Sequence, residues 1–193
     1  MASWSSSGVV NARFDYTAFD GHLVSVLPSE CLQSIRNVMG NFSILWDNPS
    51  TRPALMGYFG TPSYFTKSDM AWMMADASAM SVQYGSKDNM CNMLVPQTSN
   101  YMEQYAAFVN ASYGAGFGAN CYYSTACLSD PSYQDQWTNA DYGWVFQCCN
   151  ELAYWQVSYP NSLRSQTITS DYYRPSRNST VDAADCSPKS RSA

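Results

Sequence analysis

Residues 144–173 read WVFQCCNELAYWQVSYPNSLRSQTITSDYY, and this stretch decides the fold of the chain. Its aromatic, cysteine and polar residues alternate too specifically for a generic core segment. The pattern predicts a helix over residues 146–156, on which Gln147 and Glu151 share one face because they lie four residues apart. Glu151 could orient a binding pocket, form an ion pair with a neighbouring domain, or be a buried structural carboxylate.

The composition is that of a globular chain that is poor in charge. The chain has 193 residues, of which 46% are hydrophobic, 15% aromatic and 13% charged. That length is enough for one domain with its own core. The net charge of −5 and the scattered basic residues argue against binding to a nucleic-acid backbone. No window approaches the roughly 18 to 20 apolar residues that a membrane span needs. We therefore expect a soluble chain.

Seven cysteines without a C-x-x-C pair favour disulfides formed in an oxidising compartment. They are Cys31, Cys91, Cys121, Cys127, Cys148, Cys149 and Cys186. The odd number leaves at least one thiol unpaired within the chain. N-x-S/T sequons at Asn41, Asn110 and Asn178 predict N-glycosylation. The N-terminus, MASWSSSGVV, has neither the basic start nor the apolar run of a signal peptide, so we expect a truncated N-terminus.

Helical periodicity dominates the middle of the chain. The apolar spacing after Pro28 predicts a helix that stops at Gly40. Residues 47–62 contain several Pro and Gly residues, which predicts a loop with short turns.

Two further helices are predicted after that loop. Thr66 and Asp69 resemble a capping pair, and they predict a helix that ends before Gly85. Another helix is expected from Asn100 to Gly114. Residues 114–136 are predicted to form an irregular loop held by two cysteines.

The sequence offers little for catalysis. It contains no G-x-S-x-G nucleophile motif and one histidine, His22, so a Ser-His-Asp triad would have to be built around that residue. A lone histidine is far more often a surface or packed residue than a catalytic base. No motif requires a metal ion or another cofactor.

Three blocks of sequence resemble the lysosomal and secreted serine carboxypeptidases related to prolyl carboxypeptidase, dipeptidyl peptidase two and thymus-specific serine protease. The first, residues 2–12 (ASWSSSGVVNA), is similar to the segment that follows the nucleophile in that family. The second, residues 69–91, resembles its Asp-led helix and Val-Gln-Tyr turn. The third, WVFQCCNE at residues 144–151 followed by YWQ, is similar to its W-x-[YW]-Q-x-C-[TS]-E signature and is the most specific.

The resemblance implies a mainly α fold, in which a helical lid is inserted into an α/β-hydrolase core. Residues 1–15 would be a remnant of the core, residues 16–173 the disulfide-linked lid, and residues 174–193 a divergent or disordered tail. The catalytic Ser, Asp and His of the family have no matching positions, so no catalytic residue is assigned. The residue after Trp144 is Val145, where dipeptidyl members are expected to need an acidic group. Val145 argues against the release of amino-terminal dipeptides, and the choice between carboxypeptidase and dipeptidyl-peptidase activity stays open.

The resemblance also implies roles for particular residues. Trp144, Gln147 and Glu151 would bind substrate, and the rings of Trp144, Phe146 and Trp155 could line a pocket for a proline ring or belong to an ordinary core. Cys31 and Cys149 match positions that form a disulfide in the family. A second bridge could join Cys91 to Cys121 or Cys127, and the remaining connectivity stays open.

The resulting hypothesis is the lid fragment of a lysosomal or secreted serine exopeptidase that cleaves next to proline, inactive by itself. Its partners would be a proline-containing peptide and the remainder of the hydrolase core, with neither nucleic acid nor membrane, and the full-length enzyme could form a homodimer. The alternative is a secreted binding domain whose aromatic rings recognise carbohydrate or protein. Exposed contiguous rings would favour the alternative, whereas rings buried against one another would not.

Overall fold

The computed structural model describes residues 17–128, 130, 144, 155–169 and 171–172. Seven α-helices and two 3-10 turns account for most of them, and this described part contains no β-strand. The mainly α prediction is confirmed. The proposed core remnant, residues 1–15, and the proposed tail, residues 174–193, lie outside the described residues, so both domain boundaries stay predictions.

The helices follow one another closely along the chain. They are α1 (Thr17–Val26), α2 (Ser29–Asp47), α3 (Arg52–Phe59), α4 (Lys67–Gln83), α5 (Lys87–Leu94), α6 (Tyr101–Tyr113) and α7 (Thr125–Leu128). The 3-10 turns, Phe117–Ala119 and Cys121–Tyr123, lie between α6 and α7.

Helix α4 is the centre of the described fold. Every residue from Asp69 to Ala79 is buried, so all faces of its middle turns are covered. Helices α1, α2 and α5 pack against it, and α6 packs against α2, α3 and α5. Tyr105 of α6 donates a hydrogen bond from its hydroxyl to the Met74 carbonyl oxygen at 2.7 Å, which ties α6 to the central helix.

The start of α4 is the predicted capping box. The Thr66 hydroxyl accepts from the Asp69 backbone N–H at 3.1 Å, and the Asp69 carboxylate accepts from the Thr66 backbone N–H at 2.8 Å. Two backbone donors of the first turn are satisfied in this way. The other predicted helix is also confirmed, because α6 begins after Asn100 and ends before Gly114.

Helix α2 is longer than predicted. Gly40 does not stop it, and the helix continues for seven further residues to Asp47. The reason is that Phe42 and Trp46 extend the buried face begun by Ile35 and Val38. Burial of these two rings outweighs the loss of roughly 1 kcal/mol that a helical glycine costs relative to alanine.

Residues 47–62 are not the predicted loop, because they contain α3. Pro53 lies in the first turn, where its missing N–H costs nothing, and Leu55 and Phe59 face the core. Gly60 then ends the helix with φ of +64°, in the left-handed region that glycine adopts without strain. An eight-residue helix places only two residues in the core, so its periodicity was too short to detect. Helix α5 was not predicted either.

The disulfides differ from those implied by the resemblance. Cys31 of α2 pairs with Cys91 of α5, with a Cα–Cα distance of 5.2 Å, and Cys121 pairs with Cys127. The implied Cys31–Cys149 bridge is therefore wrong in this structure, as is the second bridge proposed for Cys91. Packing of α5 against α2 brings the first pair together, while the second closes a local loop six residues apart.

Candidate functional site

The segment 155–169 contacts α1 and α4 and joins them through buried polar side chains. Trp155 and the residues after it are not helical, so the end of the predicted 146–156 helix is wrong, and residues 146–154 lie outside the described residues. Leu163 and Ile168 anchor the segment in the core. The Ser68 hydroxyl on α4 also donates to the Thr167 carbonyl oxygen at 3.1 Å.

Arg164 and Asp20 are the centre of this polar contact. The Arg164 Nε lies 3.3 Å from Asp20 Oδ1, and their side chains are 1% and 0% exposed. The Ser162 hydroxyl donates to the other Asp20 oxygen at 2.6 Å. Arg164 Nη1 also donates to Gln156 Oε1 at 3.1 Å, and Trp72 Nε1 donates to the same oxygen at 3.0 Å. We call Asp20, Trp72, Gln156, Ser162 and Arg164, together with Asp76 and Tyr123, the polar network.

Asp76 on α4 is the second carboxylate of the polar network. It is 7% exposed and accepts a hydrogen bond from the Tyr123 hydroxyl at 2.7 Å. Burial raises the pKa of Asp76 above its ordinary value, while the Arg164 charge and hydrogen bonds from Tyr123 and Gln156 act in the opposite direction. Burial and the neighbouring Asp76 carboxylate raise the pKa of Tyr123 well above its ordinary value. Burial therefore disfavours the charged form of each group.

Aromatic rings pack around Trp72, a member of the polar network. The ring of Trp72 lies 4.9 Å from that of Tyr122, 5.3 Å from that of Tyr123 and 6.1 Å from that of Tyr172, measured between centroids. The Tyr172 hydroxyl donates to Asp69 at 2.8 Å. The pairs of Trp72 with Tyr123 and with Tyr172 are edge-to-face, a packing that adds about 0.5–1.5 kcal/mol per pair beyond the burial of area.

A groove lies where α2 faces the segment 155–169. It has a volume of about 450 Å³ and is partly open to solvent. Its walls are formed by Arg36, Met39, Gly40 and Ser43 from α2 and by residues 162–167. Because residues 162–167 include Ser162 and Arg164, the polar network fixes one wall of the groove.

The described residues do not contain a serine–histidine pair. His22 lies on the exposed side of α1, and its backbone carbonyl, not its ring, accepts the hydrogen bond from Ser25 at 2.8 Å. A serine peptidase needs the serine hydroxyl within hydrogen-bond reach of an imidazole. In the part of the chain that the structure describes, no group of three His, Cys, Asp or Glu residues could hold a metal ion.

Several of the predicted site residues lie outside the described part of the chain. Gln147, Glu151, Cys149 and Asn178 are outside it, as is Phe146, so their roles stay predictions. Trp144 is helical and 43% exposed, which leaves much of its ring available for contact. Trp155 is buried.

Two predicted glycosylation sites lie on helices. The side-chain amide of Asn41 donates to the Asn37 carbonyl oxygen at 2.9 Å, and that of Asn110 donates to the Tyr58 carbonyl oxygen at 3.3 Å. Both side chains are half-buried. Whether they carry glycans stays a prediction.

Sequence reasoning missed Asp20, Gln156 and Arg164. The one available signal of a functional role was Arg164 itself, because it is an arginine within residues 144–173 of a chain in which only 13% of the residues are charged. No spacing rule links Asp20 to Arg164 across 144 residues, so their pairing required the tertiary structure.

Comparisons with known proteins agree on one family. A profile of the family described as serine carboxypeptidase S28 matches residues 1–177. The chain is also 24% identical over 182 residues to a probable serine protease, EDA2, of Arabidopsis thaliana. That match covers 89% of this chain and 35% of the relative, so the chain spans about a third of the relative's length. No solved structure matches the chain significantly.

The helices in the described residues include none that is long and apolar enough to cross a membrane.

Proposed function

The chain belongs to the serine carboxypeptidase S28 family, and we propose that it forms the helical lid of a serine exopeptidase that cleaves next to proline. The lid would narrow access to the active site and shape the pocket for the substrate. In the whole enzyme, a serine activated by histidine would attack the scissile carbonyl. Those groups would come from the remainder of the hydrolase core.

One observation carries this proposal. The described residues 17–128 form a helical unit with its own core and disulfides, inside a family match that extends over residues 1–177. A nucleophilic serine of an α/β-hydrolase stands on a sharp turn between a strand and a helix. The described residues contain no strand, so a helical lid is the part of such an enzyme that they fit.

The proposed specificity rests on sequence. Trp144 offers an exposed ring, and aromatic faces pack well against a proline ring. Val145 supplies no carboxylate for a substrate's free amine, which favours release of carboxyl-terminal residues. A lysosomal or secreted location, which the cysteines and sequons suggest, belongs to the same proposal.

The alternative of an aromatic binding domain finds less support. The rings of Trp72, Tyr122 and Tyr123 are packed against one another. Two of the exposed rings, Tyr64 and Tyr84, lie beyond opposite ends of α4, so about 25 Å of helix separates them. These two rings do not form one continuous face.

The experiment compares the 193-residue chain with the protein encoded by the complete open reading frame around it. Both are incubated with a Pro-Phe substrate and with a fluorophosphonate probe that labels activated serines. We expect the longer protein to be labelled and to release phenylalanine, and the 193-residue chain to do neither. Labelling and cleavage by the homogeneous 193-residue chain would overturn the lid proposal. A longer protein without activity would overturn the peptidase proposal.

A further inference from the structure

Arg36 on α2 is exposed at one wall of the groove. Within the described part of the chain, it makes no ion pair and no side-chain hydrogen bond. The other two described arginines are engaged. Arg164 pairs with Asp20, and Arg52 donates to the Trp46 carbonyl oxygen at 2.7 Å with its guanidinium 5.5 Å from the centre of the Trp46 ring. Arg36 therefore presents an unneutralised guanidinium to the groove.

The remaining walls of the groove suit an anion. Among the described residues that line it there is no carboxylate, and they carry the hydroxyls of Ser43, Ser162, Ser165 and Thr167. The charge of Arg164 beneath the wall is balanced by Asp20, which is buried and does not line the groove. The charge that a ligand would meet is thus the single positive charge of Arg36.

Gly40 leaves room beside that charge. It lies four residues after Arg36 and lines the groove, and a Cβ atom placed on it would meet nothing within 4 Å. The groove volume of about 450 Å³ falls within the roughly 300–1,000 Å³ of small-ligand sites. Because the groove is partly open, a longer peptide chain could leave it towards solvent.

We propose that this groove binds the terminal carboxylate of a peptide, with Arg36 as the residue that holds it. A guanidinium presents two parallel N–H donors that match the two oxygens of a carboxylate. The Ser162 hydroxyl hydrogen is donated to Asp20, and the Ser165 and Thr167 hydroxyls share one hydrogen bond, so the remaining hydroxyl hydrogen of that pair and the Ser43 hydroxyl are the groups that would contact the terminal residue. The inference rests on the proposed exopeptidase function, since such an enzyme has to recognise a chain end.

A single terminal carboxylate fits better than a polyanion. One unneutralised arginine balances one negative charge, whereas the chain as a whole carries a net charge of −5 and would repel a polyanion. An acidic side chain within a peptide offers the same carboxylate chemistry as a chain end. The experiment therefore has to distinguish the two sources.

The test is an NMR titration of the ¹⁵N-labelled 193-residue chain with three peptides. They are acetyl-Pro-Phe with a free carboxylate, its carboxyl-terminal amide, and acetyl-Pro-Asp-Phe amide, whose carboxylate is internal. We expect the free acid to shift amide resonances of residues 36–43 and 162–167, with at least tenfold weaker binding of both amides. Equal binding of the free acid and its amide, or no shift of these resonances with any peptide, would overturn the proposal. Preference for the internal aspartate would overturn the chain-end assignment.

Two variants separate charge from shape. Arg36→Gln should weaken binding of the free acid at least tenfold. The control variant Lys87→Gln also removes one positive charge, but outside the groove, so it should leave this binding unchanged. Gly40→Leu should also abolish binding by filling the groove, while it leaves the Arg36 charge in place. This variant should still fold, because leucine is a better helix former than glycine. Unchanged binding in Arg36→Gln would overturn the assignment of Arg36.

Failure of this inference can be told from failure of the proposed function. Hydrolysis of a Pro-Phe substrate by the longer protein, combined with no effect of Arg36→Gln on its KM, would leave the peptidase proposal standing without this groove. If the longer protein binds a carboxylate in the groove but reacts with no serine-directed probe, the groove assignment stands and the peptidase proposal fails.

Discussion

Arg164 and Asp20 form a fully buried ion pair that joins the segment 155–169 to the first described helix, across 144 residues of sequence. The pair decides where one wall of the groove lies, because Ser162 and Arg164 belong both to that wall and to the polar network. Burial of two charges is costly unless each is paired and hydrogen-bonded. Here Ser162 and Gln156 supply the additional hydrogen bonds.

Asp20→Asn should destabilise the protein by about 3–5 kcal/mol, because it leaves the buried Arg164 charge without its counter-ion. The free energy of unfolding is measured by urea titration. The exposed pair Lys67–Asp47 provides the control, and Lys67→Gln there should cost at most about 1 kcal/mol. Equal costs for the two variants would show that the buried pair does not hold the segment.

The Cys31–Cys91 disulfide should be found by mass spectrometry of a non-reduced digest. Replacing both cysteines by serine should lower the free energy of unfolding by about 4 kcal/mol, from the entropy of a loop with a sequence separation of 60. The Cys121–Cys127 bridge closes a separation of only 6, so its removal should cost about 2 kcal/mol. A peptide that links Cys31 to Cys149 would contradict the observed pairing.

Asp76 should make the protein less stable as the pH rises. Its pKa is raised in the folded state, so the folded protein binds the proton more tightly than the unfolded chain does. The stabilisation is complete below the unfolded pKa of 3.8 and is lost as the pH rises through the higher folded pKa. Asp76→Asn should therefore gain stability relative to the wild type as the pH rises above 3.8, measured as Tm. Asp88→Asn, which removes an exposed carboxylate, reports the background effect of one negative charge. If Tm changes with pH in the same way for the wild type and for Asp76→Asn, the raised pKa of Asp76 in the folded state is refuted.

Gly118 should tolerate no side chain. A Cβ atom there would overlap the Phe59 carbonyl oxygen at the end of α3, and backbone on both sides prevents an easy shift. Gly118→Ala should cost about 1–3 kcal/mol or more through overpacking. Gly116, two residues earlier, has open space around its Cβ position, so Gly116→Ala should be close to neutral. Similar Tm values for the two variants would show that the contact between α3 and the 3-10 turn is not tight.

Local signals made part of the fold predictable. The capping pair Thr66 and Asp69 and the caps Asn100 and Gly114 lie within a few residues of the helices they bound, so α4 and α6 could be predicted. Gly40 misled the prediction because its effect on α2 depends on distant partners that bury Phe42 and Trp46. The candidate groove could not be predicted, since its two walls come from α2 and from residues more than a hundred positions later.

The sequence by itself determined the mainly helical class, the two well-capped helices and the resemblance to the family to which the chain belongs, because these depend on neighbouring residues and on motifs. Only the tertiary structure decided that Cys31 pairs with Cys91, that Asp20 neutralises Arg164, and that Arg36 faces the groove without an ion-pair partner among the described residues. Such pairings depend on which surfaces pack together to remove apolar area from water. Which surfaces pack together depends on the whole chain, so the local spacing of residues does not encode these pairings.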